Sequence, residues 1–116
     1  MVHRAPRHVC KDRSLFKTFM EVVDGETLYM GNDSTARVLG KGQVELVFSS
    51  GKSLILRDVL YSPELRRNLV SGAVLNQLGF KMVFESDKFI LSKGGQFVGF
   101  GYLCDGMFKL NICNVF

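Results

Sequence analysis

The sequence predicts an all-β domain carrying one short helix, and three observations lead there. Turn signals recur at short intervals: Asp24-Gly25, Gly31-Asn32-Asp33, Gly40-Lys41-Gly42, Ser50-Gly51, Lys93-Gly94-Gly95 and Asp105-Gly106. Between them lie strand-like runs at 26–30, 35–39, 43–49, 53–60, 81–85, 88–92, 96–103 and 107–112. Short strands at such spacing argue a sandwich or a barrel. A lone helical pattern over 71–78 is closed by Gly79.

Residues 1–13 show no periodicity and read as an extended polar head. Residues 14–19 suggest one helical turn, with Leu15, Phe16 and Phe19 plugging one end of the domain. The stretch 42–84 organises the rest. Val44, Leu46 and Phe48 fall on one face by the period-2 rule, as do Leu54, Leu56 and Leu60 on the partner strand. With Ser50-Gly51-Lys52 as a three-residue loop, Phe48 faces Leu54 and Leu46 faces Leu56. A one-residue slip would put those leucines in water, so burial fixes the register as well as the turn. Beyond Pro63 a polar run, 64–68, leads to Leu69-Val70 and to Ser71 as helix N-cap. The helix carries Val74, Leu75 and Leu78, Gly79 ends it in the left-handed conformation, and residues 80–84 leave as a strand. The expected core is Leu46, Phe48, Leu54, Leu56, Leu60, Val70, Leu75, Leu78 and Phe84. Phe84, Phe89, Phe97, Phe100 and Phe108 read as core filling and cross-strand pairs in preference to a base-stacking platform.

A chain of 116 residues, nearly half apolar, makes one domain able to bury a real core. Ten Phe and only two Pro belong to a globular protein and not a disordered one. No apolar run approaches a membrane span and the basic N-terminus lacks the apolar stretch of a signal peptide, so a cytoplasmic product is expected, with no membrane partner. The net charge of +4 is densest in the head, at Arg4, Arg7, Lys11 and Arg13 beside His3 and His8. That head reads as a solvated terminus, with an arm that holds nucleic-acid phosphates as the alternative. Cys10, Cys104 and Cys113 form an odd set without paired spacing. Cys10 and His8 would give zinc two ligands, but no second close pair supplies the rest, so no metal or other cofactor is expected.

The run DVLYSPELRRNLVSGAVLNQLGF at 58–80 resembles the protease-like region of the Pol polyprotein of copia-type LTR retrotransposons. LYMGNDSTARVLGKGQVEL at 28–46 and VFESDKFILSKGGQFVGFGYLCDGMFKLN at 83–111 resemble the same family, in the family's order. The resemblance covers the chain from about Arg7 onward. It implies a small closed β-barrel like that of the retropepsins, which are aspartic proteases acting as homodimers. Residues 69–71 then match the hydrophobic-hydrophobic-Gly segment before the retropepsin helix, with Ser71 in the Gly position. Gly40-Lys41-Gly42 reads either as the tip of a flap, where glycine permits close approach to a substrate backbone, or as an ordinary hairpin turn. The resemblance divides the chain into a disordered or extended basic head, 1–13, that is the degenerate catalytic loop, and a retropepsin-like barrel domain, 14–116. A homodimer through the ancestral interface is the implied partner.

An aspartic protease of this kind needs one Asp per subunit, the two carboxylates sharing a proton and activating a water. The family signature is Asp-Ser-Gly-Ala-Ser, followed shortly by a His, and residues 7–10 resemble the segment just after it. Reading back without gaps, Val2 stands at the Asp position, His3 at the Ser, Arg4 at the Gly, Ala5 at the Ala and Pro6 at the second Ser. Small deletions that turn Asp-Ser-Gly-Ala codons into those of residues 3–6 would make His3 the counterpart of the Asp; substitution or truncation is the alternative history. In either alignment no carboxylate is left. Arg4 adds a side chain where the motif turns on Gly, and Pro6 removes an N–H donor. Asp12, the first carboxylate of the chain, lies beyond the His and outside the motif. The sequence therefore predicts a catalytically dead remnant of a polyprotein-processing endopeptidase. A binding or assembly module is the alternative, and an enzyme with another nucleophile or a partner-supplied Asp is the least favoured reading.

Overall fold

Residues 2–3, 7–22, 26–29, 35–104 and 107–112 are described by a computed structural model, and among them form twelve short strands and one α-helix. The strands are β1 (Val2–His3), β2 (Val9–Cys10), β3 (Phe16–Glu21), β4 (Thr27–Tyr29), β5 (Thr35–Arg37), β6 (Gly40–Val47), β7 (Ser53–Tyr61) and β8 (Val70–Ser71). After helix α1 (Gly72–Gln77) follow β9 (Phe80–Glu85), β10 (Lys88–Lys93), β11 (Gln96–Cys104) and β12 (Met107–Leu110). The domain is all-β, as the turn spacing implies. The turns at 24–25, 31–33 and 105–106 lie outside the described residues.

Two four-stranded sheets carry the fold, in the orders β2-β7-β6-β3 and β12-β11-β10-β9, with two-stranded ribbons β1-β8 and β4-β5 beside them. No sheet among the described residues closes into a barrel. Among the described residues no continuous ladder joins the two large sheets: they meet at the isolated bridge Phe48 to Ile112, through hydrogen bonds linking Ser49, Ser50 and Lys52 to Asn111, Val98 and Phe97, and through side-chain packing. Phe48 lies so close to Gly99 that a Cβ there would sit 2.2 Å from its ring, and Phe89 covers Gly101 in the same way. Around them Cys10, Phe16, Val44, Leu46, Leu56, Val59, Val70, Leu75, Phe80, Leu91 and Leu110 complete the main core.

The central hairpin differs from the expected register by one residue on each strand. Leu46 pairs with Leu54 and Val44 with Leu56. The loop is Ser49-Ser50-Gly51, closed by the Phe48 N–H donating to the Lys52 carbonyl at 2.8 Å. Gly51 takes φ 87°, the left-handed last position of a three-residue loop, and that requirement sets the register. Because both strands shift together, Val44, Leu46, Phe48 and Leu56 keep their common buried face. Leu54 is half-buried at its margin.

Leu60 does not share that face. Asp58, at φ 54°, sits in a bulge where pairing moves from Gly42–Val59 to Val44–Leu56. The extra residue reverses the alternation, so Val59 joins the main core. Leu60 instead packs with Val9, Ala36, Val38 and Leu65 in a second cluster. Leu78 and Phe84, both expected inside, are each 53% exposed. Leu78 is the C-cap of a helix of fewer than two turns, past the buried Leu75. Phe84 lies at the far end of β9, where its ring leans on Phe89 with centroids 5.6 Å apart.

The turn expected over 14–19 shrinks to one 3₁₀ turn, Arg13–Leu15, and β3 begins at Phe16. Phe16 is buried, and Phe16, Phe19 and Tyr61 meet edge to face with centroids 5.3–5.9 Å apart. Arg13 stacks 3.9 Å above the Phe19 ring. Ser71 caps α1 as expected, accepting from the Val74 N–H at 3.2 Å, and Gly79 follows at φ 91°. Among the described residues no helix is long and apolar enough to cross a membrane.

Candidate functional site

Among the described residues of the head, Val2–His3 and Val9–Cys10 are short strands, and His8, Val9 and Cys10 are interior. Val9 and Cys10 of β2 are buried, and they thread between two neighbours of opposite direction. On one side β2 runs parallel to β7, Val9 beside Leu60 and Cys10 beside Tyr61. The Leu60 N–H donates to the His8 carbonyl and the Ser62 N–H to that of Cys10, both at 3.0 Å. On the other side Val9 and Leu69 exchange both backbone hydrogen bonds, at 2.9 and 2.7 Å. The polar run 64–68 is the bend that lets one segment supply both neighbours, and buried Asn68 secures it by accepting from the Lys11 N–H at 2.7 Å.

Ahead of this, β1 lies parallel to β8, Val2 opposite Val70 and His3 opposite Ser71. Val2 and His3, the two positions that the resemblance aligns with an Asp, therefore fall beside Val70 and Ser71, which lead into α1. Arg4, Ala5 and Pro6 lie outside the described residues.

His8 is the polar centre of this region. Its side chain is 2% exposed and its Nδ1 accepts from the Ser71 backbone N–H at 2.8 Å. An acceptor Nδ1 carries no proton, so the ring is held in the tautomer protonated at Nε2. Ser71 is committed as well, its hydroxyl capping the helix. A serine–histidine couple would need the hydroxyl to face the imidazole; here the two residues meet through a main-chain N–H. Cys10 is a free thiol whose Sγ lies 3.4 Å from the Asp12 carbonyl. Burial pushes it up to about 11, which keeps it from serving as a thiolate nucleophile near neutrality. Asp12 precedes the 3₁₀ turn on the far side of β2, away from β1.

Zinc finds no set of ligands here: among the described residues no three His, Cys, Asp or Glu side chains gather. Cys113 and the Cys104 side chain lie outside those residues.

Gly40-Lys41-Gly42 is not a hairpin tip. All three belong to β6, flanked by β3 on one edge and β7 on the other, with Lys41 paired to Met20 and to Leu60. The glycines serve close packing between strands. A Cβ on Gly42 would lie 1.8 Å from the Thr18 carbonyl oxygen, and one on Gly40 would lie 2.2 Å from the Phe19 ring. The hairpin outside both large ladders is β4-β5, with Thr27 opposite Arg37 and Tyr29 opposite Thr35, and its Ala36 packs with Val9 and Leu60 of the first sheet. Its base is tied down by the Arg37 N–H donating to Glu64 at 3.0 Å and by an Arg7–Glu26 ion pair at 3.9 Å. Its tip, 30–34, lies outside the described residues.

The β1-β8 pair and the His8–Ser71 bond are the features that sequence reasoning missed. Two-residue strands are too short to show a period, and the available clue was a histidine set directly against the apolar Val9-Cys10.

The family of the Pol polyprotein β-barrel domain matches residues 3–80, from His3 in β1 to the first residue of β9. The Retrovirus-related Pol polyprotein from transposon TNT 1-94 of Nicotiana tabacum is 32% identical over 107 residues, covering 92% of this chain. The chain spans 8% of that relative's length. No solved structure matches. The matched span holds β2 threaded beside β7, the bend and the capped helix, and on it the chain belongs to the β-barrel domain family of Pol polyproteins.

Proposed function

We propose that this chain is a retropepsin-like segment of a copia-type retrotransposon Pol polyprotein that has lost proteolytic chemistry and keeps the scaffold. One observation supports this above the others: the strand where the catalytic Asp would stand is paired beside the helix opening, and its residues are Val2 and His3. Neither carries a carboxyl group, so no pair of acids can share a proton and activate water across a two-fold axis. The nearby His8 and Ser71 are both held by backbone donors. On this reading the two sheets derive from an ancestral closed barrel, β4-β5 takes the place of the flap, and copies associate through the ancestral dimer surface in the cytoplasm.

The test is cleavage. Purified protein incubated with peptides from Pol polyprotein junctions, from acid to neutral pH, is expected to give no pepstatin-sensitive product; such a product would overturn the proposal. The combined change Val2→Asp, His3→Ser, Arg4→Gly and Pro6→Ser restores the signature and is expected to restore cleavage. Sedimentation at rising concentration tests the dimer separately.

A further inference from the structure

The second sheet has an outward face unlike the core face behind it. Along β10, Phe89 and Leu91 point into the core, so Lys88, Ile90 and Ser92 point away. On β11, Gly99 and Gly101 receive core rings, so Phe100 and Tyr102 point outward. Simple alternation would send Phe97 inward with Gly99. A bulge intervenes: pairing passes from Leu91–Gly99 to Ser92–Phe97, which turns Phe97 to the outer side. Three aromatic rings therefore line one strand of an open sheet face. Phe97 is 41% and Tyr102 42% exposed, and Phe100 is half-buried with the Lys88 ammonium 4.8 Å from its ring centre.

Three lysines lie around these rings, against Glu85 on the face and Asp87 in the adjoining turn, whose carbonyl accepts from the Leu103 N–H. Lys81 lies opposite Ser92, and Lys88 and Lys109 both lie opposite Tyr102. Glu85, opposite Lys88, is the one acid on this face among the described residues. Phe100 and Tyr102, alternate residues of one strand, stand about 6–7 Å apart with Phe97 beyond the bulge, and an aromatic ring offers a π-face that any base can stack on. Cations on both flanking strands complement a phosphate backbone.

We propose that this outward face of the β9–β12 sheet binds single-stranded nucleic acid, with bases stacked on Phe97, Phe100 and Tyr102 and phosphates held by Lys81, Lys88 and Lys109. The site is separate from the basic head and does not depend on whether the chain cleaves peptides. An unpaired strand is required, because bases within a duplex do not present their faces to a flat sheet.

The experiment is fluorescence anisotropy with labelled oligo-U and oligo-dT of about ten nucleotides, and a duplex of equal length. Saturable binding to one or both single strands, weaker for the duplex, is expected, and the two sugars show whether RNA or DNA is preferred. Phe97→Ala with Tyr102→Ala should weaken binding on the order of ten-fold or more, while Tyr102→Phe should retain it. The slope of log affinity against log salt should be about −2 for three phosphate contacts, and fall toward zero in Lys81→Gln/Lys88→Gln/Lys109→Gln. Urea midpoints matching wild type show that these surface variants are folded. The proposal is overturned if wild type binds neither oligonucleotide or binds the duplex equally well. It is also overturned if only Arg7→Gln/Lys11→Gln/Arg13→Gln abolishes binding, or if the aromatic pair governs self-association alone.

Discussion

His8, Cys10 and Leu75 each fill an interior position by a different physical route. His8 supplies an acceptor for the buried Ser71 N–H at 2.8 Å. His8→Leu, close to His in volume, loses the acceptor, with an expected cost of about 1–3 kcal/mol in urea unfolding. Leu75, fully buried on α1, should cost about 2–5 kcal/mol as Leu75→Ala; an unchanged melt would refute its place in the core. For Cys10 the thiol is raised in the folded state from 9.0 to about 11 by burial. Below pH 9 both folded and unfolded chains carry the neutral thiol, and this group adds no pH dependence. Between pH 9 and about 11 the unfolded thiol ionises and the folded one does not, so stability falls by ~1.4 kcal/mol per pH unit. Comparing denaturant midpoints of wild type and Cys10→Ala over that window isolates the effect. Native Cys10 should also resist iodoacetamide at neutral pH until denaturant is added.

Strands and turns were legible where the sequence alternates over several residues and ends in a glycine-bearing turn. β6, β7 and β9 to β12 all lie close to their expected runs for that reason. Two of the errors share one cause, an added residue that period-2 counting cannot see. The bulge at Asp58 moved Leu60 to another cluster, and the bulge in β11 turned Phe97 outward. The glycines of β6 misled in a related way, because a glycine that admits a neighbouring strand looks the same in sequence as one that forms a turn. Gly42→Ala tests this. With the Thr18 carbonyl oxygen in the way, the β3-β6 pairing must open, and a loss of about 1–3 kcal/mol or more is expected in a thermal or urea melt. If Gly42 were a free tip, the change would be nearly silent.

For the whole molecule, the family match ends at residue 80 while the core does not. Phe80, Phe89, Leu91 and Leu110 share one cluster with Leu46 and Phe48, and Phe48 packs directly on Gly99. A fragment ending at residue 80 would leave that cluster open on one side. It should bind hydrophobic dye and melt without a cooperative transition, whereas the full chain melts as one unit; a sharp melt of the fragment would show that the matched span folds alone. The helix cap and overall β content could be read from sequence because they depend on neighbours close along the chain. The candidate site could not, since β1, β2 and β8 become neighbours only through pairings between distant parts of the chain.

Those pairings also fix an order of events. Val9 and Cys10 find their partners at residues 60–61 and 69, and β1 finds its own at residues 70–71. During synthesis at ~5–20 residues per second the head must wait several seconds for them, holding apolar residues without a sheet to join. Closing loops of that length is entropically costly before any contact repays it, so folding should be slow, on the millisecond-to-second scale of non-local β topologies. Residues 2–10 would thus be among the last of this chain to settle, and during that interval they are the segment most open to proteolysis or to pairing with another chain.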